Sequence, residues 1–226
     1  MSQYIVFDCY QTLIYKKNLA KTVQEFSYKI LKKRISLDYI NNSYKIIYNR
    51  YKFKHSYFTT TKKIKKFYIG YNKELFSILG ISITSQEALQ LNKFLNKLKW
   101  ACYSETRTTL NSLKMRKIPL GLIANWTKGL KDVLKKIHLD HYFDFIHSSN
   151  DLKINKPNPK IFNKALNSVI KKFDSIYYVG DDYELDIIPS KKAGLIPILI
   201  DRNNQYPRSV DCIRIKKLTD LEKIIK

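Results

Sequence analysis

The sequence predicts an α/β protein. The expected core is a Rossmann-like three-layer arrangement, a parallel sheet with helices on both faces, interrupted near its start by an inserted helical bundle. Three observations carry this. The runs Tyr4–Phe7, Pro119–Ala124, Ser175–Val179 and Ile196–Ile200 are apolar without polar alternation, as in strands buried on both faces. Helical stretches separate the runs that follow Trp100, the alternation of a parallel sheet. Residues 18–98 read almost wholly as helix.

The first run ends abruptly in Asp8 and a polar turn. A carboxylate at the end of a buried strand costs free energy unless something pairs or uses it. In open α/β sheets, ligands bind at the carboxyl ends of the strands. Asp8 is therefore a candidate functional residue, its other reading being a cap on the following turn.

Residues 15–99 are expected to form a four-helix unit inserted into a discontinuous core of residues 1–14 and 100–226. Leu19, Val23, Phe26 and Ile30 recur at helical spacing, as do Ile40, Tyr44, Ile47 and Tyr51. A polar loop from Lys52 to Thr61 follows, carrying His55 as a possible proton donor or a plain surface residue. Ile64, Phe67, Tyr71, Leu75 and Leu79 make the third stripe, closed by Gly80. Ala88, Leu91, Leu95 and Leu98 make the fourth, with Thr84 or Ser85 as N-cap. The aromatic residues on these stripes fit a bundle core rather than a base-stacking surface.

After Trp100, a helix through Leu110 and Leu113 leads to the strand ending at Ala124, followed by Asn125 and Trp126. A short strand is expected at Phe143–Ile146. Asn158 and Pro159 then read as the N-cap and first residue of a helix. The next strand ends in Gly180-Asp181-Asp182, with Asp186 close behind, and the last ends at Asp201.

At 226 residues the chain has room for a core domain with a smaller insertion. The three cysteines and the lack of an apolar leader lead us to expect a cytoplasmic, reducing setting. No apolar stretch approaches the ~20 residues that span a bilayer, so no membrane partner is expected. The net charge is +23, and residues 15–99 hold nineteen Lys/Arg against four Asp/Glu, so +15 of it lies there. That surplus favours an anionic partner. A lysine-rich composition from an A/T-rich genome is the other explanation of it. A small anionic substrate is expected rather than nucleic acid, with the chain a monomer or a homodimer.

Four stretches lie at strand ends: Asp8-Cys9-Tyr10-Gln11-Thr12, Ala124-Asn125-Trp126, Lys156-Pro157-Asn158-Pro159, and Gly180-Asp181-Asp182 with Asp186. In this order, with a helical cap inserted after the first, they resemble the haloacid dehalogenase superfamily of hydrolases over the whole chain. The resemblance implies that Asp8 is a nucleophile forming a covalent intermediate that water hydrolyses. Lys156 would neutralise Asp8 or a substrate anion, its proline neighbour favouring extended backbone. Thr12, Ala124, Asn125, Trp126 and Lys156 would contact the substrate. Asp8, Asp181 and the carbonyl of Tyr10 would bind magnesium. Asp182 and Asp186 complete an acidic group whose like charges need a cation or protons. Magnesium suits such oxygen ligands. Asp186 can also be read as a helix N-terminal residue.

The departures from the family pattern matter as much. Its phosphatases carry a second Asp two residues after the nucleophile, which protonates the leaving group. Here that position is Tyr10, whose phenol, with an ordinary pKa near ~10, is a poor acid at neutral pH. Gln11 stands where Gly is usual, and Ala124 where a Ser or Thr hydroxyl is usual. Asn125 is expected to compensate with its side-chain amide. Tyr10 resembles the 2-haloacid dehalogenase branch, which needs no metal, whereas Asp181 resembles the phosphatases. Three readings follow: a magnesium-dependent hydrolase of a small phosphorylated substrate, a hydrolytic dehalogenase, and a binding or regulatory protein on an enzyme fold.

Overall fold

The computed structural model describes residues 2–54, 60–169, 172–207 and 210–225. Among these, eight strands follow one another: β1 (Gln3–Phe7), β2 (Ile14–Lys16), β3 (Trp100–Cys102), β4 (Leu120–Ala124), β5 (Phe145–Ser148), β6 (Ser175–Gly180), β7 (Ile196–Ile200) and β8 (Ile213–Ile215). Six form one sheet in the order β5-β4-β1-β6-β7-β8, and every neighbouring pair is parallel. β2 and β3 make a separate two-stranded ribbon.

β1 lies in the middle of the sheet, with Ile5 opposite Leu120 on one side and Tyr177 on the other. Tyr4 through Phe7 are all buried, which explains the absence of polar residues in this run. Later strands build outward from β1 in both directions, so the strand order reverses there. The carboxyl ends of β4, β1 and β6 are thus adjacent. That is the place where open α/β sheets bind ligands.

The fold is therefore α/β and Rossmann-like. The chain divides into two compact units, Met1–Tyr15 with Ala101–Lys226, and Lys16–Trp100. The second unit contains α1 (Leu19–Lys29), α2 (Leu37–Tyr51), α3 (Thr61–Ile78) and α4 (Ser85–Asn96). Each boundary has a local cause. Ser36 accepts the Tyr39 N–H at the start of α2. Thr84 and Glu87 form a reciprocal capping box at the start of α4. Gly80, at φ 73°, ends α3 in the left-handed region that favours glycine. Val23, Phe26, Ile40, Ile47, Leu75, Phe76, Leu91 and Leu95 meet in one core. Ile30 does not join them; it is a C-cap residue and is exposed. His55, in the expected loop, lies outside the described residues.

In the first unit α5 (Thr106–Met115), α6 (Leu130–Lys136), α7 (Ser149–Leu152), α8 (Lys160–Ala165) and α9 (Ile188–Lys192) accompany the sheet. Tyr4 and Val6 pack with Ile161 and Phe162 of α8, and with Ile176 and Tyr178 of β6. Two boundaries differ from the sequence expectation. β5 begins at Phe145, because Asp140–Tyr142 form a 3-10 turn and the Asp144 N–H bonds the Leu120 carbonyl at 2.8 Å. α8 begins at Lys160, with Pro159 rather than Asn158 as N-cap, although the Asn158 side chain still accepts the Lys160 N–H at 3.0 Å. No helix among the described residues is long and apolar enough to cross a membrane.

Candidate active site

Asp8 directly follows β1, and its N–H bonds the Val179 carbonyl of β6 at 2.8 Å. The side chain is buried and accepts a hydrogen bond from Lys156 Nζ at 2.6 Å. The same ammonium donates to Asp186 Oδ1 at 2.5 Å and to the Tyr178 hydroxyl at 3.0 Å. The Tyr178 hydroxyl in turn has the Ile123 carbonyl at 3.0 Å and Asp186 Oδ1 at 3.4 Å as acceptors. All three donor positions of the ammonium are thus used. Burial alone would lower the Lys156 pKa, but Asp186 and Asp8 outweigh it and hold the group well above its ordinary value. Lys156 is therefore a fixed positive charge.

Asp181, the residue after β6, is only half-buried. Its Oδ1 accepts the hydroxyl proton of Thr12 at 3.2 Å. Burial of the carboxyl group, together with Asp186, Asp8 and Asp182, pushes its pKa well above the ordinary range. Asp186 is raised to about 6, by burial first and against the pull of Lys156. Asp186 reaches this position because the strand ends in glycine: a Cβ on Gly180 would fall 2.5 Å from Asp186 Cβ and Oδ2. Asp186 also accepts the Asp182 N–H at 3.0 Å. It is thus a member of the buried cluster and at the same time stands in the first turn of the short helix Tyr183–Ile187.

Asp8, Asp181 and Asp186 each offer a carboxylate oxygen within 4.8 Å of the others. Three formal negative charges face one ammonium, which adds to burial in raising Asp181. Hard, anionic oxygen donors of this kind fit a divalent cation such as Mg2+. Asp182 is not part of the group. Its Oδ1 accepts the N–H groups of Glu184 and Leu185 at 2.9 Å each, which makes it the N-cap of the turn at Tyr183–Ile187. The sequence expectation places Asp182 with the metal, and its Oδ1 is spent on this cap.

Other expected contacts have jobs of their own. Asn125, expected to stand in for the missing hydroxyl at Ala124, is engaged with the Lys156 backbone. Its Oδ1 accepts the Lys156 N–H at 2.8 Å, and its Nδ2 donates to the Lys156 carbonyl at 2.9 Å. Ala124 is buried, with a methyl group in place of a donor. The Trp126 N–H donates to Ser149 Oγ at 3.1 Å and its carbonyl accepts in return, so the backbone is fastened to α7 while the indole is half-buried. Thr12 is buried and spends its hydroxyl proton on Asp181. Tyr10 is half-buried two residues beyond Asp8. Burial, reinforced by Asp8, pushes the Cys9 thiol well up, so Cys9 is no competing nucleophile.

The loop after Asp8 is held by Gln11 together with residues that sequence reasoning passed over. Gln11 has φ 67°, the left-handed conformation for which glycine is suited. Its Oε1 accepts the Tyr103 hydroxyl at 2.6 Å. Arg202, just beyond β7, lies 3.7 Å over the Tyr103 ring and donates to the Thr12 carbonyl at 2.9 Å. It also pairs with Glu105. Tyr178 was missed too, although a tyrosine inside a buried strand signals a hydroxyl in need of a partner.

A parallel sheet whose central carboxyl ends gather a buried aspartate, a lysine and further carboxylates defines an α/β protein of hydrolase type. The chain belongs to the haloacid dehalogenase-like hydrolases, whose family profile matches residues 11–200. It is 28% identical over 120 residues to haloacid dehalogenase-like hydrolase domain-containing protein 3 of Danio rerio, covering 53% of this chain and 50% of that protein. It is 27% identical over 136 residues to the glyceraldehyde 3-phosphate phosphatase of Methanothermobacter thermautotrophicus, covering 54% and 58%. The chain thus spans about half the length of the curated relatives it matches. The crystal structure of the HAD-hydrolase YfnB from Bacillus subtilis bound to magnesium superimposes with a TM-score of 0.76 over 99% of this chain and 98% of that one. At 17% identity it supports the fold.

Proposed function

We propose that the chain is an aspartate-nucleophile phosphohydrolase acting on a small phosphorylated substrate with Mg2+. The observation that carries this is Asp8, paired to a buried lysine and beside Asp181 and Asp186. An Asp8 carboxylate oxygen forms the bond to phosphorus as the bond to the leaving oxygen breaks, giving a phosphoaspartyl group. Water then attacks the phosphorus, the Asp8–phosphorus bond breaks, and inorganic phosphate leaves. Lys156 holds the Asp8 carboxylate in place and offsets negative charge at the reacting oxygens. Asp8, Asp181, Asp186 and the Tyr10 carbonyl would hold the metal, whose chemistry is to neutralise substrate phosphoryl oxygens. Asp8 and Lys156 are catalytic in this reading, and Ala124 and Trp126 border the substrate. The helical unit, with its surplus of +15 over residues 15–99, fits the role of a cap that selects an anion. A glyceraldehyde 3-phosphate phosphatase among the relatives supports the choice of phosphate.

Tyr10 favours a second reading, a hydrolytic dehalogenase, because a halide leaves without a proton. A panel of phosphorylated metabolites with and without Mg2+, and 2-chloropropionate without it, separates the two. Phosphate release that is lost in Asp8→Asn, together with Mg2+ binding lost in Asp181→Asn, is the expected result. Metal-free chloride release would replace the phosphohydrolase by the dehalogenase. An Asp8→Asn variant that differs from the parent in no measured property would leave a binding protein on an enzyme fold.

A further inference from the structure

Lys156 is gripped at both ends. Its own N–H and C=O are closed into a ring with the Asn125 amide, at 2.8 and 2.9 Å. Its ammonium is bonded by the Tyr178 hydroxyl at 3.0 Å, beneath the two carboxylates. The Asn125 amide can face only one way, because the Lys156 N–H needs an acceptor and the Lys156 carbonyl a donor. Tyr178 is oriented in turn, its hydroxyl 3.0 Å from the Ile123 carbonyl and 3.4 Å from Asp186 Oδ1, and its ring edge-on to Phe162 with centroids 4.7 Å apart. Asn125 follows β4 and Tyr178 lies within β6, the strands on either side of β1.

We propose that Asn125 and Tyr178 are positioning residues that hold Lys156 between Asp8 and Asp186. A lysine has a long flexible stem, and two carboxylates compete for its ammonium. The amide clasp fixes where the stem begins and the phenol fixes where it ends, so the ammonium serves both carboxylates at once. The same clasp takes the Asn125 amide oxygen and one of its two N–H donors. This assignment rests on the phosphohydrolase reading for its kinetic consequence but not for its geometry.

Two measurements test it. The first is acetylation of Lys156 by acetic anhydride, followed by peptide mass spectrometry on folded protein. Lys156 should resist modification in the parent and react in Asn125→Ala. It should also react in Asn125→Asp, which keeps the acceptor but sets a carboxylate against the Lys156 carbonyl. Tyr178→Phe should react to a smaller extent. Continued resistance in all three variants would overturn the proposal. The second is a double-mutant cycle with Lys156→Met. Misplacing a catalytic group by about 1 Å can cost ~100-fold, so Asn125→Ala should lower kcat on the order of 10- to 100-fold at unchanged KM. It should cost nothing further in the Lys156→Met background. A raised KM at constant kcat, with Lys156 still protected, would make Asn125 a substrate donor instead. If no phosphate ester is turned over, the phosphohydrolase reading falls and the acetylation pattern alone decides the clasp.

Discussion

The carboxyl group of Asp186 is seated on the Cα of Gly180, so close that a Cβ there would fall 2.5 Å from Asp186 Oδ2. Gly180→Ala should therefore push Asp186 out of the cluster and away from Lys156. Removing support from a metal site typically costs ~10- to 100-fold in affinity. Calorimetric titration with Mg2+ should show a loss of that order in Gly180→Ala. An unchanged affinity would mean that Asp186 is dispensable for the metal.

The cluster also sets a pH dependence. The folded Asp186 titrates at about 6, above its ordinary 3.8, and Asp181 is raised as well. A carboxyl group raised on folding binds its proton more tightly in the folded state. Its stabilising contribution is full below the ordinary pKa and is lost as pH rises through about 6. Metal-free protein should accordingly lose thermal stability over that window, and Mg2+ should restore it. The gain in Tm on adding Mg2+ should be larger above about pH 6 than near pH 4, where protons compete. Equal gains at both would separate the metal from these carboxylates.

Tyr10 bears on the leaving group. A phosphohydrolase without a general acid depends on substrates whose leaving group departs unprotonated. Tyr10→Asp should raise turnover of alkyl phosphates by ~100- to 10,000-fold, the usual worth of general acid catalysis. Turnover of p-nitrophenyl phosphate should change little. Equal acceleration of both would show that position 10 acts otherwise than as a proton donor.

Leu91 lies wholly buried in the core of the helical unit. Leu91→Ala should cost ~2–5 kcal/mol by lost burial and the cavity left behind. Denaturant unfolding measures it. Mg2+ affinity should stay at the parent value, because Asp8, Asp181 and Asp186 all belong to the other unit. A loss of Mg2+ binding would show that the two units are energetically coupled.

Parallel strands were legible because burial on both faces leaves a continuous apolar run, as at Tyr4–Phe7 and Ser175–Val179. The bundle helices were legible by their period, and Thr84 and Gly80 by their turn chemistry. Short edge strands such as Ile213–Ile215 were not, because three residues are too few to show any period. Among site residues, Asp8, Asp181 and Asp186 stood out as carboxylates at or just after strand ends, and Lys156 through the family resemblance of Lys156-Pro157-Asn158-Pro159. What each of them touches came from the tertiary structure. Asp181 and Asp182 are neighbours in sequence and of one type, yet one faces Asp8 while the other caps a turn. Asn125 had two N–H donors to offer, and the packing of strand ends gave one of them to Lys156. Residue type and strand position mark where charge must collect, because a buried charge is costly wherever it falls. Which charges meet depends on register, backbone direction and competition for partners from distant parts of the chain, and those exist only once the sheet has formed.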